Sequence, residues 1–136
     1  MVDALREARR VLKRSGVLVD VRPVVAPIEV EVLVAKRAVW TKTVESYSAP
    51  EDIAAADAAM RNAVSRDGLV FGTSVPFVFE IYCHTAAELK CYAEARKLRG
   101  AEIPYEELEA RRRRFRAQQT RLRCRRRWML STYGKR

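Results

Sequence analysis

Residues 4–23, ALREARRVLKRSGVLVDVRP, constrain the fold more than any other stretch of this 136-residue chain. Leu5, Ala8, Val11 and Leu12 recur at helical spacing, which predicts an amphipathic helix from Asp3 to about Arg14. Asp3 suits its N-cap, and Lys13 and Arg14 suit the negative end of its dipole. Ser15-Gly16 ends the helix, with Gly16 expected in the left-handed conformation. Val17 to Arg22 then reads as a strand whose apolar residues fall on both faces, so it is expected to be an inner strand covered on two sides. Helix, tight turn and inner strand together make the second half of a strand–helix–strand crossover. No strand pattern precedes them in the sequence.

The pattern then changes character. Pro23 and Pro27 bracket a loop. Ile28-Glu29-Val30-Glu31-Val32 alternates, which predicts a strand with one buried and one wet face. Residues 38–44 return as its partner after a turn near Lys36-Arg37, although no Asn-Gly or Asp-Gly marks that turn. Ser48-Ala49-Pro50-Glu51 is a capping-box pattern that launches a helix over about 50–66, with Ile53, Ala56, Met60 and Val64 on one side and Gly68 as its stop. Residues 69–71 and 75–82 read as one extended segment interrupted near Gly72 and Pro76, where the proline favours an edge or a bulge. Thr85-Ala86-Ala87-Glu88 is a second capping box, for a helix expected to reach about Arg99 and stop at Gly100. Pro104 opens a further helix to about Gln118, carrying Leu108 and Phe115. The last strand, Leu122 to Thr132, puts Leu122, Cys124, Trp128 and Leu130 on one face, broken by Arg126, and Arg121, Arg123, Arg125 and Arg127 on the other.

These elements make one domain over residues 1–136, α/β at its start and α+β as it stands. Its expected core is a mostly antiparallel mixed sheet with about four helices. The hydrophobic content of 49% is ordinary for a globular protein. No apolar run is long enough to span a membrane, and MVDALREARR has neither the apolar core nor the cleavage site of a signal peptide. A cytoplasmic protein is the expectation. Cys83, Cys91 and Cys124 are an odd count without a C-x-x-C pair, so reduced and mostly buried thiols are favoured over a disulfide framework. Cys83-His84 with Cys91 matches no standard zinc spacing, and no fourth ligand is evident.

The net charge of +10 is concentrated at one end. Residues 1–108 hold 15 Lys/Arg against 16 Asp/Glu, whereas residues 109–136 hold 12 Lys/Arg and a single acid. Arg111 to Arg114, Arg116 and the Arg121/Arg123/Arg125/Arg127 stripe could track phosphates, with Trp128 or Tyr133 stacking on bases. The competing reading is a solvated helix face followed by an edge strand blunted with charge. The four stripe arginines are the weak anion-binding candidates, and non-specific nucleic acid is the partner that charge alone supports.

Little else in the sequence points to chemistry. The lone His84 precedes a helix N-cap, where a capping or surface role fits better than catalysis. No serine or cysteine sits in a nucleophile motif such as G-x-S-x-G. Glu29/Glu31 are expected to point outward, and Glu106/Glu107 lie in a helix's first turn, where acids belong. No catalytic, cofactor-binding or metal-binding residue is assigned.

The string ALREARRVLKRSGVLVDVRP resembles the helix and strand that close the parallel part of a class I S-adenosylmethionine-dependent methyltransferase. In that family an acid-containing helix ends R-V-L-K-P-G-G before a hydrophobic strand. Here Arg14-Ser15-Gly16 replaces Pro-Gly-Gly and keeps the glycine at the helix end. VPFVFEIYCHTAAELKCY and RLRCRRRWMLSTYGK follow in the order of a bacterial branch of the family, so the resemblance covers nearly the whole chain. It implies the C-terminal part of a Rossmann-like methyltransferase. The intact relative would bind S-adenosylmethionine through a glycine-rich loop after its first strand and an acid after its second. Gly16, Gly68, Gly72, Gly100 and Gly134 never form a G-x-G, so no cofactor residue carries over. The expected protein is a methyltransferase-like fragment, from a truncated reading frame, or a reduced stand-alone relative. Alone it is expected to be inactive and to bind no S-adenosylmethionine. The alternative is a basic nucleic-acid or protein interaction module using the Arg-rich C-terminal helix and strand. The inner strand at 17–22 lacks the parallel neighbours its pattern anticipates, which predicts a homodimer or larger homo-oligomer.

Overall fold

The structure, a computed structural model, describes residues 2–45, 50–66, 68–95, 102–115 and 119–135. Among them are four helices and five strands: α1 (Val2–Val11), β1 (Val17–Pro23), β2 (Ile28–Val34), β3 (Arg37–Val44), α2 (Pro50–Arg66), β4 (Leu69–Cys83), α3 (Ala86–Ala95), α4 (Tyr105–Arg114) and β5 (Thr120–Lys135). The fold is α+β, and the β1–β5, β2–β3 and β2–β5 pairings are all antiparallel. No helix among the described residues is long and apolar enough to cross a membrane. The chain divides into two compact units, and β4 and β5 each contribute one half to either unit.

The first unit comprises Met1–Val24, Ala49–Phe77 and Trp128–Arg136. β1 pairs with β5 from Val17↔Gly134 to Pro23↔Trp128. The same stretch of β5 meets β4 on its other edge, where the Thr73 N–H donates to Thr132 Oγ1 at 3.0 Å and the Ser74 and Ser131 hydroxyls lie 2.9 Å apart. β1 and β4 therefore run parallel to each other on either side of β5, with α2 between them in sequence. Directly opposed residues share a face of a sheet. Leu18 and Tyr133 are opposed and join Met60, Ala63, Leu69, Leu5, Leu12 and Val64 in one core, so α1 and α2 cover that face. Arg22 on the same face pairs with Asp20 and with Asp57 of α2, both at 2.7 Å.

The opposite face corrects the expectation of a strand covered on two sides. Val17, Val19 and Val21 are 58%, 53% and 45% exposed. Their partners on β5 are Gly134, Thr132 and Leu130, so Leu130 also belongs to this uncovered side rather than to a buried stripe. Gly16 needs a second correction. Among the described glycines only Gly68, at the end of α2, takes a positive φ, of 69°. Gly16 is required for space instead: a Cβ there would sit 2.8 Å from the Leu12 side chain and 3.0 Å from the Lys13 carbonyl oxygen. α1 is also shorter than its periodicity suggested, and it already includes Asp3 in its first turn. The Lys135 ammonium donates to the Leu12 carbonyl at 3.0 Å, placing a cation where the helix dipole favours one.

The second unit comprises Val25–Ser48 and Val78–Arg127. β2 and β3 form a hairpin closed by Ala35-Lys36, with φ of 46° and 71°. Two central residues at positive φ are what a two-residue primed turn demands, and here they are met without glycine or asparagine. An irregularity between Val32 and Leu33 leaves Val39 without a partner on β2. β2 also pairs with β5, from Glu29↔Arg125 to Val34↔Thr120. Ile28, Val30, Val32, Leu122 and Cys124 form one core with Leu89 and Ala93 of α3 and Leu108 of α4.

The start of α3 follows the capping logic, whereas α4 starts without a side-chain cap. The Glu88 N–H donates to Thr85 Oγ1 at 3.2 Å, and the Glu88 carboxylate accepts from the His84 N–H at 2.8 Å, one residue earlier than the standard reciprocal bond. α4 starts after Pro104 and stops at Arg114, short of the expected end near Gln118. The Ser48-Ala49 cap, the Arg99-Gly100 helix end, Arg116 and Gln118 lie outside the described residues. β4 is continuous from Leu69 to Cys83, without the break expected near Gly72 and Pro76. Gly72 fits because a Cβ there would lie 2.7 Å from Thr132 Oγ1.

Candidate functional site

The predicted arginine stripe is in place, but its surroundings are not those of an open phosphate track. On β2, Glu29, Glu31 and Leu33 stand opposite Arg125, Arg123 and Arg121 of β5, on the face turned away from the α3–α4 core. Arg123 Nε donates to Glu31 Oε2 at 2.5 Å, and its Nη1 lies 3.5 Å from Glu80 Oε1. Arg125 Nη1 donates to Glu29 Oε2 at 2.8 Å and its Nε to Glu80 Oε1 at 3.1 Å. The Tyr82 hydroxyl donates to Glu80 Oε2 at 2.7 Å. Acids from β2 and β4 therefore interleave with arginines from β5 in a three-strand ladder. The hydrogen bond from Tyr82, followed by the nearby charges of Arg123 and Arg125, holds Glu80 below the usual carboxylate range. The Glu31 carboxylate raises Arg123 further above its already high value.

Glu29 and Glu31 both point outward from the α3–α4 core, as expected, and Glu29 stays partly exposed, but Glu31 does not reach water. Glu31 is only 4% exposed, because the long arginine stems cover it and its charge is matched. Of the four stripe arginines, Arg123 and Arg125 are ion-paired, whereas Arg121 and Arg127 have no ion pair among the described residues. Three of the four arginines in the α4 run also lie near acids. Arg112 and Arg113 bind Glu109, and Arg111 lies 3.8 Å from Glu107 with its guanidinium 6.0 Å from the Trp40 ring centroid. Arg126 is buried, and the loss of solvent lowers its pKa. Tyr133 cannot stack on a base, since it is buried in the first unit's core with Phe71 edge-on at 5.7 Å. The Trp128 ring lies 6.5 Å from that of Phe77.

The remaining chemistry-bearing side chains are placed as expected. His84 is exposed beside the N-cap of α3. Cys83 and Cys124 are buried, and burial pushes Cys124 up to about 11 and raises Cys83, so both are held as poorly nucleophilic thiols. Cys91 is exposed. No group of three His, Cys, Asp or Glu side chains that could hold a metal occurs among the described residues.

Two surfaces remain as sites. In the second unit, a cavity of about 420 Å³ opens at the Arg121 end of the ladder, lined by Leu33, Lys36, Tyr82, Gln119, Arg121 and Arg123. Lys36, Tyr82 and Gln119 carried no sequence signal; only the strand register brings them beside the stripe. In the first unit, the surface is the valine face of β1. Comparison with family models, curated proteins and solved structures finds no match to this chain.

Proposed function

We propose that this chain is the C-terminal half of a class I S-adenosylmethionine-dependent methyltransferase-like domain, and that the valine face and open edge of β1 receive a cofactor-binding half. The intact domain would move the S-adenosylmethionine methyl group to an acceptor. One observation carries the reading: α1 and α2 cover one face of β1, while Val17, Val19 and Val21 stand exposed on the other. A strand apolar on both faces belongs in a sheet with helices on both sides. The parallel disposition of β1 and β4 around β5 agrees with an α/β sheet that turns antiparallel at one end. The resemblance of the opening helix and strand supplies the family.

Calorimetry tests it. S-adenosylmethionine titrated into this chain gives no binding at millimolar concentration. The same titration into the chain extended through the frame upstream of the Met1 codon gives micromolar affinity. Micromolar binding to the chain alone, or none to the extended chain, contradicts the proposal. The competing basic-module reading draws less support, because the ladder neutralises the centre of the arginine stripe. It requires nucleic-acid binding that falls steeply with salt.

A further inference from the structure

We infer that the cavity at the end of the arginine ladder binds a small molecule that carries a phosphate or carboxylate on an apolar body. The inference stands apart from the methyl-transfer reading and concerns the second unit alone.

Three features of the cavity point to such a ligand. Its charge is unbalanced. Arg123 is fixed in place by Glu31 and Glu80, so its charge is already matched. Lys36 and Arg121 have no ion pair among the described residues, yet both line the same space. Two such cations facing one concavity favour an anion between them, and a guanidinium beside an ammonium suits either a phosphate or a carboxylate.

The frame is also rigid. Ala35 N–H donates to the Gln119 carbonyl at 3.3 Å, which ties the hairpin turn to the residue that precedes β5. Leu33 and Arg121 are opposed in the β2–β5 ladder. Tyr82 is held by its hydroxyl on Glu80. Lys36 sits at φ 71°, where glycine or asparagine would close the turn with less strain. A lysine there brings a charge to the cavity at a conformational cost.

The walls fit the rest of a small molecule. A volume of about 420 Å³ exceeds what a bare inorganic anion needs. It falls within the range of roughly 300–1,000 Å³ common for small-molecule sites. Leu33 and the Tyr82 ring supply the apolar contacts. A nucleic-acid strand gains little here, because the next arginines along the sheet are already matched by Glu31, Glu80 and Glu29.

The test titrates phenyl phosphate, benzoate, inorganic phosphate and neutral benzyl alcohol into the full chain at low salt, followed by calorimetry. Phenyl phosphate or benzoate should saturate below millimolar concentration, about tenfold tighter than inorganic phosphate or benzyl alcohol; which of the two binds tighter identifies the head group. Lys36→Gly and Arg121→Gln should each weaken that binding about tenfold, while Arg127→Gln leaves it unchanged. Lys36→Gly also guards against misfolding as the cause, since glycine relaxes the positive φ and should keep or raise the melting temperature. The inference fails if neither organic anion saturates, if inorganic phosphate binds as tightly as they do, or if both variants bind normally. It fails equally if a short single-stranded oligonucleotide binds more tightly than either and depends on the same two residues.

Discussion

Glu109 is the acid that holds two helices of the second unit together. From α4 its carboxylate accepts the Ala86 N–H at the start of α3 at 3.2 Å. It also accepts Arg112 Nε and Nη2 at 3.0 and 2.5 Å and Arg113 Nε at 3.1 Å. Arg112 foremost, then the Ala86 N–H and Arg113, bring its pKa from 4.5 down to about 2. A carboxylate lowered in the folded state stabilises above its unfolded pKa, and that stabilisation is lost as pH falls through the folded value. Glu109→Gln should therefore cost about 2 kcal/mol at neutral pH. In urea melts over a pH series, the gap between wild type and variant should close between pH 4.5 and about 2. The local half of this arrangement was readable, since Arg112 and Arg113 follow Glu109 at helical i,i+3 and i,i+4 spacing. The bond to Ala86 was not, because it joins helices that only tertiary packing brings together.

At the scale of elements, periodicity and caps located all four helices and the strands, and the errors have physical causes. β2 alternates as a half-wet strand should, yet Glu31 is buried, because a matched arginine on the neighbouring strand removes the need for water. No reading of β2 alone shows that; the register with β5 does. The turn expected near Lys36-Arg37 is present, but the same limit hid its conformation, in which the positive φ values of Ala35 and Lys36 are imposed by the hairpin rather than chosen by its residues. β4 runs unbroken through Gly72 and Pro76, since glycine makes room for Thr132 instead of turning the chain. The ladder makes a stability prediction that separates it from a ligand-binding stripe. Arg123→Leu should destabilise by about 3 kcal/mol, because Glu31 is left buried with an unmatched charge. Adding Glu31→Leu should recover most of that loss. Chemical denaturation of the two variants measures both. A single variant as stable as wild type would mean that the pair contributes nothing.

For the molecule as a whole, the most informative sequence feature is also where the structure departs most from the sequence pattern. The pattern of Val17 to Arg22 asks for cover on both faces, and within this chain α1 and α2 provide it on one. The apolar character of the other side was legible, but its exposure was not, because a sequence pattern records an apolar face without recording what covers it. The methyltransferase-like reading assigns that place to a cofactor-binding half. Under that reading, the exposed valines and the edge of β1 that has no strand partner among the described residues are expected to make the chain self-associate when it stands alone. Light scattering at micromolar protein measures this directly, with Val19→Glu as the comparison. The account predicts a dimer or larger species for the wild-type chain and a folded monomer for the variant. A monodisperse wild-type monomer would contradict it.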